Sequence, residues 1–437
     1  MRRTGEGKWY HAGMVTPHPT ATVCDTLIVN IGELVTLQGP GPGPRRGRGL
    51  GELGLREHAA IAFTDGRVSW IGRSSDTRRE VLTDVHTTIL DARGATVTPG
   101  LIDPHTHLVF GGSREAEFVQ RLEGATYAEI LAAGGGIHHT VTHTRAASLD
   151  ELVALGRQRL DRMLANGTTT LEAKSGYGLD LATELKQLEA TRLLAEQGPQ
   201  EIVATFMGAH AVPKGEDADA FTARVCDEML PEVARRGLAR YCDVFCERGV
   251  FTPAQTERIF TAAQALGLGL RLHADELSDL GGGALAARMG AASADHLLMT
   301  GPDSIAALAA SDTVAVMLPG TPFFLGMAER APARAMVEAG VAIALGTDFN
   351  PGSCYSESMP MMMALACLQL KLTPAEALAA ATINAAHAIG LGDRLGSLEV
   401  GKQADAVVWD VPNHAHLAYH FGVQLTRHVI KKGQVLR

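Results

Sequence analysis

Two histidines separated by one residue, His105 and His107, are the side chains of this sequence best suited to hold a metal ion. They come directly after the apolar run 98–102. Side chains on an extended segment alternate with a period of two, so both imidazoles are expected to point to the same side and to reach one cation. The pair alone is a weak signal, because two surface histidines can share this spacing by chance.

Three later residues, His273, His296 and Asp348, follow other apolar runs and strengthen the metal hypothesis. Imidazole and carboxylate ligands suit Zn²⁺ or Fe²⁺ in a site that keeps one position open for water. A bound ion lowers the pKa of its water from about 15.7 to about 7, which provides a hydroxide at neutral pH. The pattern therefore predicts a metal-dependent hydrolase.

Each catalytic candidate also has a structural interpretation. Glu276 lies three residues after His273 and is predicted to move a proton from the water to a leaving nitrogen, unless it is a surface residue opening a helix. His296 could polarise a carbonyl or be a structural histidine, and Asp348 could be ligand and proton relay or a hydrogen-bonding residue. Lys174 raises the possibility of a carboxylated lysine between two metals, but it lies past the predicted strand end, so one ion is predicted.

The segment that must position these residues alternates apolar runs with amphipathic helices, the pattern of parallel β/α units. Capping boxes mark helix starts at Ser148, Thr252 and Thr373. Eight units within 97–397 predict a (β/α)8 barrel, in which all carboxyl ends of the strands open on one face. The predicted strands are 98–102, 168–173, 202–207, 241–245, 269–272, 291–294, 313–318 and 342–345. The reactive residues near their ends are His105, His107, Glu172, Lys174, Tyr177, His210, Glu247, His273, Glu276, His296, Asp348 and Asn350.

The two ends of the chain have a β pattern of short β-branched runs separated by turn residues. Asp65-Gly66 is a typical hairpin turn. Residues 24–96 and 398–437 are predicted to form one small β-sandwich domain beside the barrel, and residues 1–23 to be disordered. The fold class is therefore α/β with a small β domain.

The composition of the 437 residues indicates a small-molecule enzyme. The net charge of −9 leaves no basic surface for nucleic acid, and the basic stretch 45–48 is expected to be a solvated loop. The six cysteines form no C-x-x-C pair, which favours a reducing compartment, and Cys242 and Cys246 are expected to be buried in a strand. No apolar run has the length of a membrane span, so a cytoplasmic location is expected.

These motifs together resemble the amidohydrolase superfamily in its mononuclear branch, over nearly the whole chain. Finer motifs resemble the imidazolonepropionase family, enzymes that open a ring in histidine breakdown. They are the runs 110–114, 124–127, 133–137, 174–179, 208–210, 273–276, 293–296 and 347–353. The resemblance implies hydrolysis of the ring amide of 4-imidazolone-5-propanoate to N-formimino-L-glutamate, one Zn²⁺ or Fe²⁺, and a homodimer. The implied metal ligands are His105, His107, His273 and Asp348, and the implied substrate contacts are Arg114, Tyr177, His210, Glu276, Asn350, Gly352 and Ser353.

The substrate implied by the resemblance has a ring amide and a carboxylate tail, and the side chains implied as its contacts have the chemistry to bind both. Arg114 offers a planar fork for a carboxylate, and Tyr177 can add a hydroxyl donor. His210 is expected to hydrogen-bond the ring or to lie behind it. Gly134–Gly136 would bring backbone amides to the substrate or simply let a loop turn, and the sequence does not separate the two.

Two features stand apart from the family pattern. His138 and His139 stand where a small or hydroxyl-bearing residue is expected, which puts the pocket shape there in doubt. His414 and His416 repeat the His-x-His spacing in the terminal β region, where a structural or subunit-contact role is implied.

Two other functions compete with the imidazolonepropionase interpretation. A cytosine- or guanine-type deaminase would use a similar ligand set but has no use for Arg114, because a base has no carboxylate tail. A non-catalytic scaffold would not be expected to keep every ligand.

Overall fold

The first part of the chain forms β-strands, as its alternating pattern predicts. The computed structural model describes residues 22–39, 41–125, 129 and 135–437. Of the segment 1–23 that was predicted to be disordered, residues 1–21 lie outside the described residues, as do the motif positions 126–127 and 133–134, whereas Thr22 and Val23 form a short strand. The strands here are β1 (Thr22–Val23), β2 (Thr26–Val35), β3 (Leu55–Thr64), β4 (Arg67–Arg73), β5 (Val81–Leu82), β6 (Thr88–Asp91) and β7 (Thr96–Pro99). Asp65 and Gly66, both with positive φ, form the predicted turn between β3 and β4.

The middle of the chain forms an eight-stranded parallel sheet in which each strand pairs with the next along the sequence. Its strands are β8 (Leu101–Asp103), β9 (Thr168–Lys174), β10 (Glu201–Ala209), β11 (Tyr241–Cys246), β12 (Gly269–Ala274), β13 (Ser293–His296), β14 (Val314–Met317) and β15 (Ile343–Leu345). A parallel bridge between Thr106 and Phe349, just beyond β8 and β15, brings the two ends of the sheet together. The predicted (β/α)8 barrel is confirmed, and Cys242 and Cys246 are buried in β11.

Helices connect and surround the barrel strands. The three predicted capping boxes are present, at Ser148 with Glu151, Thr252 with Gln255 and Thr373 with Glu376. The α-helices are Thr77–Glu80, Glu115–Leu122, Ile137–Ala146, Leu149–Ala165, Leu181–Gln197, Ala218–Arg224, Leu230–Arg236, Pro253–Ala265, Gly282–Met289, Pro302–Ala309, Gly320–Leu325, Ala333–Glu338, Met359–Leu370, Pro374–Ala380, Ile383–Ala388 and His416–Tyr419. None of the helices in the described part of the chain is both long and apolar enough to cross a membrane.

The two chain ends meet in one β domain. The last strands are β16 (Ala406–Trp409), β17 (Thr426–Lys431) and β18 (Gln434–Val435). They join the early strands in the order β18-β17-β16-β7-β2-β3-β4, with β6 also paired to β2, while β1 pairs with β5 apart from this sheet. The central contact is antiparallel pairing of β16 with β7, which places Trp409 beside Thr96. An α/β barrel with a small β domain built from both ends is therefore the observed architecture.

The run 98–102, expected as one barrel strand, is divided between the two sheets. The amide of Gly100 donates to the carbonyl of Asp405 in the β domain (2.9 Å), whereas the next amide, of Leu101, donates to Gly167 at the barrel (3.0 Å). A Cβ on Gly100 would lie 2.2 Å from Thr169 Oγ1, so only glycine fits where the chain crosses. The single-strand prediction was wrong because an apolar run does not show which sheet receives its hydrogen bonds.

The basic stretch 45–48 is not the solvated loop that its composition suggests. Arg45 is buried and its guanidinium donates to the carbonyl of Leu37 (2.7 Å). Arg46 donates to the carbonyl of Ser311 (2.8 Å). These arginines therefore satisfy backbone acceptors of packed segments, which a composition argument could not reveal.

Candidate metal centre

The four side chains predicted as metal ligands lie together at the carboxyl ends of the barrel strands. His105 and His107 follow β8, His273 is the fifth residue of β12, and Asp348 lies three residues after β15. The amide of Asp348 donates to the carbonyl of His105 (3.0 Å), so the bonds that close the barrel also fix these two residues. All four side chains are buried. Residues more than 240 positions apart thus converge, as the barrel prediction requires.

The separations between the ligand atoms suit a single tetrahedral ion. His273 Nε2 and His107 Nε2 are 3.4 Å apart, while Asp348 Oδ1 lies 3.4 Å from His105 Nε2 and 3.6 Å from His107 Nε2. Ligand distances of about 2.0–2.2 Å in tetrahedral geometry give edges of about 3.4 Å. Within the described residues, His105 Nε2 is buried without a hydrogen-bond partner. This residue set therefore fits a divalent metal.

In two of the predicted ligands, His105 and His273, the ring nitrogen that faces away from the proposed metal lies against a buried carboxylate. His105 Nδ1 lies 2.7 Å from Asp295 Oδ2, and His273 Nδ1 lies 2.9 Å from Asp243 Oδ1. Burial, reinforced by the nearby Lys174 charge, holds the pKa of His105 well below its usual value. A neutral imidazole that donates through Nδ1–H keeps the lone pair of Nε2 free for a metal.

Lys174 lies within β9, as its last residue, and not past the strand end as expected. Its ammonium is buried and lies 2.8 Å from Glu172 Oε1 and 2.7 Å from Asp243 Oδ2. These carboxylates raise the pKa of Lys174 despite the opposing effect of burial. A carboxylated lysine would carry a negative charge against both acids, so this environment disfavours the two-metal alternative.

Asp243, Asp295 and Arg271 were missed by the sequence reasoning. Asp243 and Arg271 lie within the apolar stretches of barrel strands, and Asp295 directly follows the apolar run 291–294. A charged residue within a strand buried on both faces is itself an indication of a buried ion pair. That signal was available in the sequence, although the identity of each partner was not.

Glu276 and His296 lie beside the proposed ligands, where they could take part in proton transfer. His296 Nδ1 is 3.7 Å from Glu276 Oε1. Burial, helped by the charges of Asp348 and Glu247, raises the pKa of Glu276 to about 8. Such a carboxyl can hold and release a proton near neutral pH. His296 and Asp348 both have positive φ, of 75° and 52°, a costly conformation that is common at active sites.

Glu247, predicted among the reactive strand-end residues, holds the loop that carries Glu276. Its Oε2 accepts from the amides of Leu277 (2.8 Å) and Ser278 (3.2 Å), and its Oε1 accepts from the Ser278 hydroxyl. The carboxylate of Glu247 is therefore occupied by backbone donors, and its contribution to the site is to position Glu276.

A cavity of about 460 Å³ opens onto these residues. At one part of its wall, Arg114 Nε and Nη2 both donate to Glu117 Oε2, at 2.9 and 2.7 Å. Glu117 Oε1 in turn accepts from the Gly136 amide (2.9 Å), so this glycine has a protein partner. The lining includes predicted site residues together with apolar side chains and two charged residues that were not predicted, Glu117 and Arg121. The predicted ones are His107, Arg114, Tyr177, His210, His273, Glu276, His296, Asp348, Asn350, Gly352 and Ser353.

His210 and Tyr177 form an aromatic wall next to the ligands. The His210 ring stacks on His107 with centroids 4.9 Å apart, and Tyr177 lies 5.3 Å from His210. His210 Nδ1 lies 3.1 Å from the carbonyl of Gly176, and burial lowers the pKa of His210 to about 3. The neutral ring therefore donates through Nδ1–H and leaves Nε2 available.

Asn350 and Ser353 support Asp348 as well as lining the cavity. Asn350 Oδ1 accepts from the amides of Gly352 and Ser353, both at 2.8 Å. Asp348 Oδ2 accepts from the hydroxyls of Thr321 (2.6 Å) and Ser353 (3.2 Å), and burial raises the pKa of Asp348 to about 6. Oδ2 of Asp348 is therefore held by hydrogen bonds, whereas Oδ1 faces the histidines.

The other histidines singled out in the sequence lie away from this site. His138 and His139 are half-buried on the helix Ile137–Ala146, where the His139 and His143 rings are 4.3 Å apart. His414 Nδ1 lies 3.0 Å from Glu33 Oε1, and His416 Nδ1 lies 3.1 Å from Asn413 Oδ1. The second His-x-His pair is therefore engaged with residues near the β domain.

Sequence comparisons find close relatives over nearly the full length. The sequence model of the amidohydrolase family matches residues 96–436. An imidazolonepropionase of Symbiobacterium thermophilum is 53% identical over 415 residues, which cover 94% of this chain and 97% of that protein. One of Geobacillus kaustophilus is 50% identical over 407 residues, with coverages of 92% and 96%.

Structural comparisons find the same fold in more distant enzymes. A zinc-bound adenosine deaminase of Xanthomonas campestris matches with a TM-score of 0.72 at 20% identity, covering 95% of this chain and 93% of its own. A zinc complex of atrazine chlorohydrolase from Arthrobacter aurescens also gives 0.72 at 20% identity, with coverages of 94% and 95%. Likeness at this identity concerns the fold alone. The sequence matches decide the family, and the chain belongs to the amidohydrolase family and, within it, to the imidazolonepropionases.

Proposed function

We propose that this enzyme hydrolyses the ring amide of 4-imidazolone-5-propanoate to N-formimino-L-glutamate, a step of histidine degradation, with water activated at one divalent metal ion. The observation that carries the proposal is that one cavity is lined both by three of the four proposed metal ligands, His107, His273 and Asp348, and by the guanidinium of Arg114. The identity of about 50% to imidazolonepropionases over more than nine-tenths of the chain supports the same reaction.

His105, His107, His273 and Asp348 would hold the ion, which would supply an acidic water and polarise the ring carbonyl. Glu276 takes the proton of the attacking water, and its raised pKa suits it to give that proton to the departing ring nitrogen. The water oxygen adds to the carbonyl carbon, and the ring C–N bond then breaks to give a carboxylate and the formimino nitrogen. His296 stabilises the developing oxyanion, and Asp348 orients the attacking water.

The propionate tail is assigned to the arginine side of the cavity. Glu117 occupies Nε and Nη2 of Arg114, which leaves Nη1 for a substrate carboxylate. Arg121 lines the same cavity, so two guanidiniums oppose one carboxylate and favour an anionic ligand. Tyr177, His210, Asn350, Gly352 and Ser353 are proposed to contact the substrate as well.

The finer properties are proposals of the same kind. Zn²⁺ and Fe²⁺ both suit three imidazoles and a carboxylate, and elemental analysis of the purified enzyme decides between them. A homodimer is proposed from the family resemblance, with light scattering as its test. A cytoplasmic, reducing location agrees with six free thiols, five of them buried.

The decisive experiment incubates the metal-loaded enzyme with 4-imidazolone-5-propanoate and follows the loss of ring ultraviolet absorbance. We expect turnover with formation of N-formimino-L-glutamate and no early release of ammonia. A deaminase would release ammonia from an amino-substituted base and leave the imidazolone intact. Metal-loaded protein that turns over neither compound would support a non-catalytic scaffold and overturn the proposal.

A further inference from the structure

A cluster of five buried charged residues lies behind the metal centre, on the side away from the cavity lining. Three are acids, Glu172, Asp243 and Asp295, and two are bases, Lys174 and Arg271. All five side chains have zero solvent exposure. Burying so many charges is costly unless each is paired, so this arrangement requires a physical reason.

Each acid of this cluster is bonded to a different part of the metal centre. Asp243 accepts from the Nδ1–H of His273, and Asp295 accepts from that of His105. Glu172 Oε2 accepts from the amide of Thr106, which lies between the two ligands of the His-x-His pair (3.3 Å). Two of the carboxylates therefore bond to ligand rings from behind, and the third bonds to the backbone between His105 and His107.

The Lys174 ammonium joins the three acids to one another. Its Nζ lies 2.8 Å from Glu172, 2.7 Å from Asp243 and 3.7 Å from Asp295. The backbone amide of Lys174 also donates to the carbonyl of Thr106 (2.9 Å). A single side chain thus touches every carboxylate that supports a ligand.

Arg271 holds the His105 side of the cluster. Its Nη2 donates to Asp295 Oδ2 (3.1 Å) and to the carbonyl of Pro104 (2.7 Å), the residue before His105, while its Nη1 donates to the carbonyl of Ala388 (2.6 Å). The planar guanidinium therefore fixes both the backbone that leads into His105 and the carboxylate that orients its ring.

We propose that Lys174 and Arg271 are positioning residues of the metal centre, which hold Asp243 and Asp295 as acceptors for His273 and His105 and so keep both Nε2 atoms directed at one ion. Neither base contacts a ligand ring, so both act through the carboxylates. The inference rests on the proposed metal site and is independent of the substrate.

The test must separate positioning from charge, because removing Lys174 alone would also remove a cation that repels the metal. The double variant Lys174→Met/Glu172→Gln deletes one charge of each sign and retains both Asp243 and Asp295, the carboxylates that face the ligand rings. A matched control is available in Lys431→Met/Asp405→Asn. That pair is also buried, with Nζ and Oδ2 2.6 Å apart, but it belongs to the β domain.

The measurement is the affinity for Zn²⁺ of the metal-free proteins, by competition with a chromophoric chelator, together with their melting temperatures. We expect Lys174→Met/Glu172→Gln to bind Zn²⁺ about 10–100-fold more weakly than wild type, as is usual when support behind a ligand is lost. The control variant should bind within about threefold of wild type even where its melting temperature falls. The visible spectrum of bound Co²⁺ should change in the first variant only, because it reports ligand geometry.

Other results overturn the proposal. Affinity of Lys174→Met/Glu172→Gln within about threefold of wild type, or tighter, would show that the cluster does not position the ligands. An equal loss of Zn²⁺ affinity in the control variant would show that the effect comes from general destabilisation of the protein. Wild-type protein that binds no Zn²⁺ would instead contradict the metal site itself.

If the variant Lys174→Met/Glu172→Gln does not fold, the carboxylate–histidine bonds on which the proposal rests can be tested in the protein that keeps Lys174 and Glu172. The metal-free enzyme should show protected imidazole Nδ1–H proton resonances from His105 and His273, separate from that of His210, and one of them should disappear in His105→Gln and the other in His273→Gln. Their absence from the folded, metal-free protein would overturn the proposal.

Discussion

Gly352 lies directly against the guanidinium of Arg114: a Cβ built on Gly352 would be 2.1 Å from Nη1. The backbone of Gly352 does not have the positive φ that itself demands glycine. A side chain at this position would displace the arginine, so Gly352 leaves space for Arg114 in addition to the substrate contact proposed for it.

Gly352→Ala should displace Arg114 and weaken binding of the substrate carboxylate. We expect KM for 4-imidazolone-5-propanoate to rise about 10–100-fold, equivalent to about 1.4–2.8 kcal/mol, with kcat within about threefold of wild type. Steady-state kinetics measure both. Gly49→Ala is the control, since a Cβ there meets open space. Unchanged KM in Gly352→Ala would contradict the role assigned to Arg114.

Arg114→Gln tests the tail contact without a steric change at Gly352. Loss of the guanidinium should raise KM by at least about 100-fold, because a charged hydrogen bond to the substrate carboxylate is lost and the part-buried Glu117 Oε2 loses the cation that pairs with it. Arg162→Gln removes an arginine of the same type from an exposed ion pair with Glu357 and should leave the kinetics unchanged. Equal KM values for the two variants would favour a substrate without a carboxylate tail, as in a deaminase.

Glu276→Gln should separate proton transfer from metal binding. The amide keeps the shape of the side chain but cannot carry the proton, so kcat should fall by about 10²–10⁴-fold while the metal content stays that of wild type. Asp348→Ala, in contrast, should lose both activity and metal, because a proposed ligand is removed. Elemental analysis alongside kinetics distinguishes the two, and a near-normal rate in either variant would contradict the mechanism.

His387 gives a pH dependence of stability away from the active site. Burial lowers the pKa of His387 to about 4, below the value of about 6.5 expected in the unfolded chain. Between these values the unfolded state binds more protons, so the free energy of unfolding should fall as the pH falls from 6.5 towards 4. Allowing for partial exposure, the loss from this group is on the order of 1–2 kcal/mol.

Denaturant unfolding of wild type and His387→Gln at several pH values checks this expectation. The difference in unfolding free energy between the two proteins should shrink as the pH falls, because only wild type loses the contribution of a neutral His387. A difference in unfolding free energy that does not change with pH would show that the pKa of His387 is the same in the folded and the unfolded protein.

The sequence allowed the barrel and the proposed ligands to be predicted for the same physical reason. The strands of a parallel sheet are buried on both faces, so each appears in the sequence as a short apolar run. The polar residues that follow these runs lie at one face of the barrel. His105, His273 and Asp348 were therefore predictable from their places after such runs, although the His-x-His pair is a weak signal by itself and nothing near His273 or Asp348 in the sequence resembles a metal site.

The supporting residues could not be found in this way. Asp243 meets His273 because β11 pairs with β12 in a register that sets Phe245 opposite His273, and that register is a property of the assembled sheet. The contact between Gly352 and Arg114 likewise joins loops 238 residues apart in numbering. Local patterns indicate which residues are reactive, whereas the partner of each depends on long-range packing.

The pairing of β7 with β16 has a consequence for biosynthesis. Thr96 cannot meet Trp409 until more than 400 residues have left the ribosome, so the hydrogen-bonding edge of β7 stays open throughout translation of the barrel. Exposed strand edges recruit other chains, and a nascent chain that stalls within the barrel would present one. Truncated products ending before β16 should therefore aggregate or require chaperones, even where every proposed metal ligand has already been made.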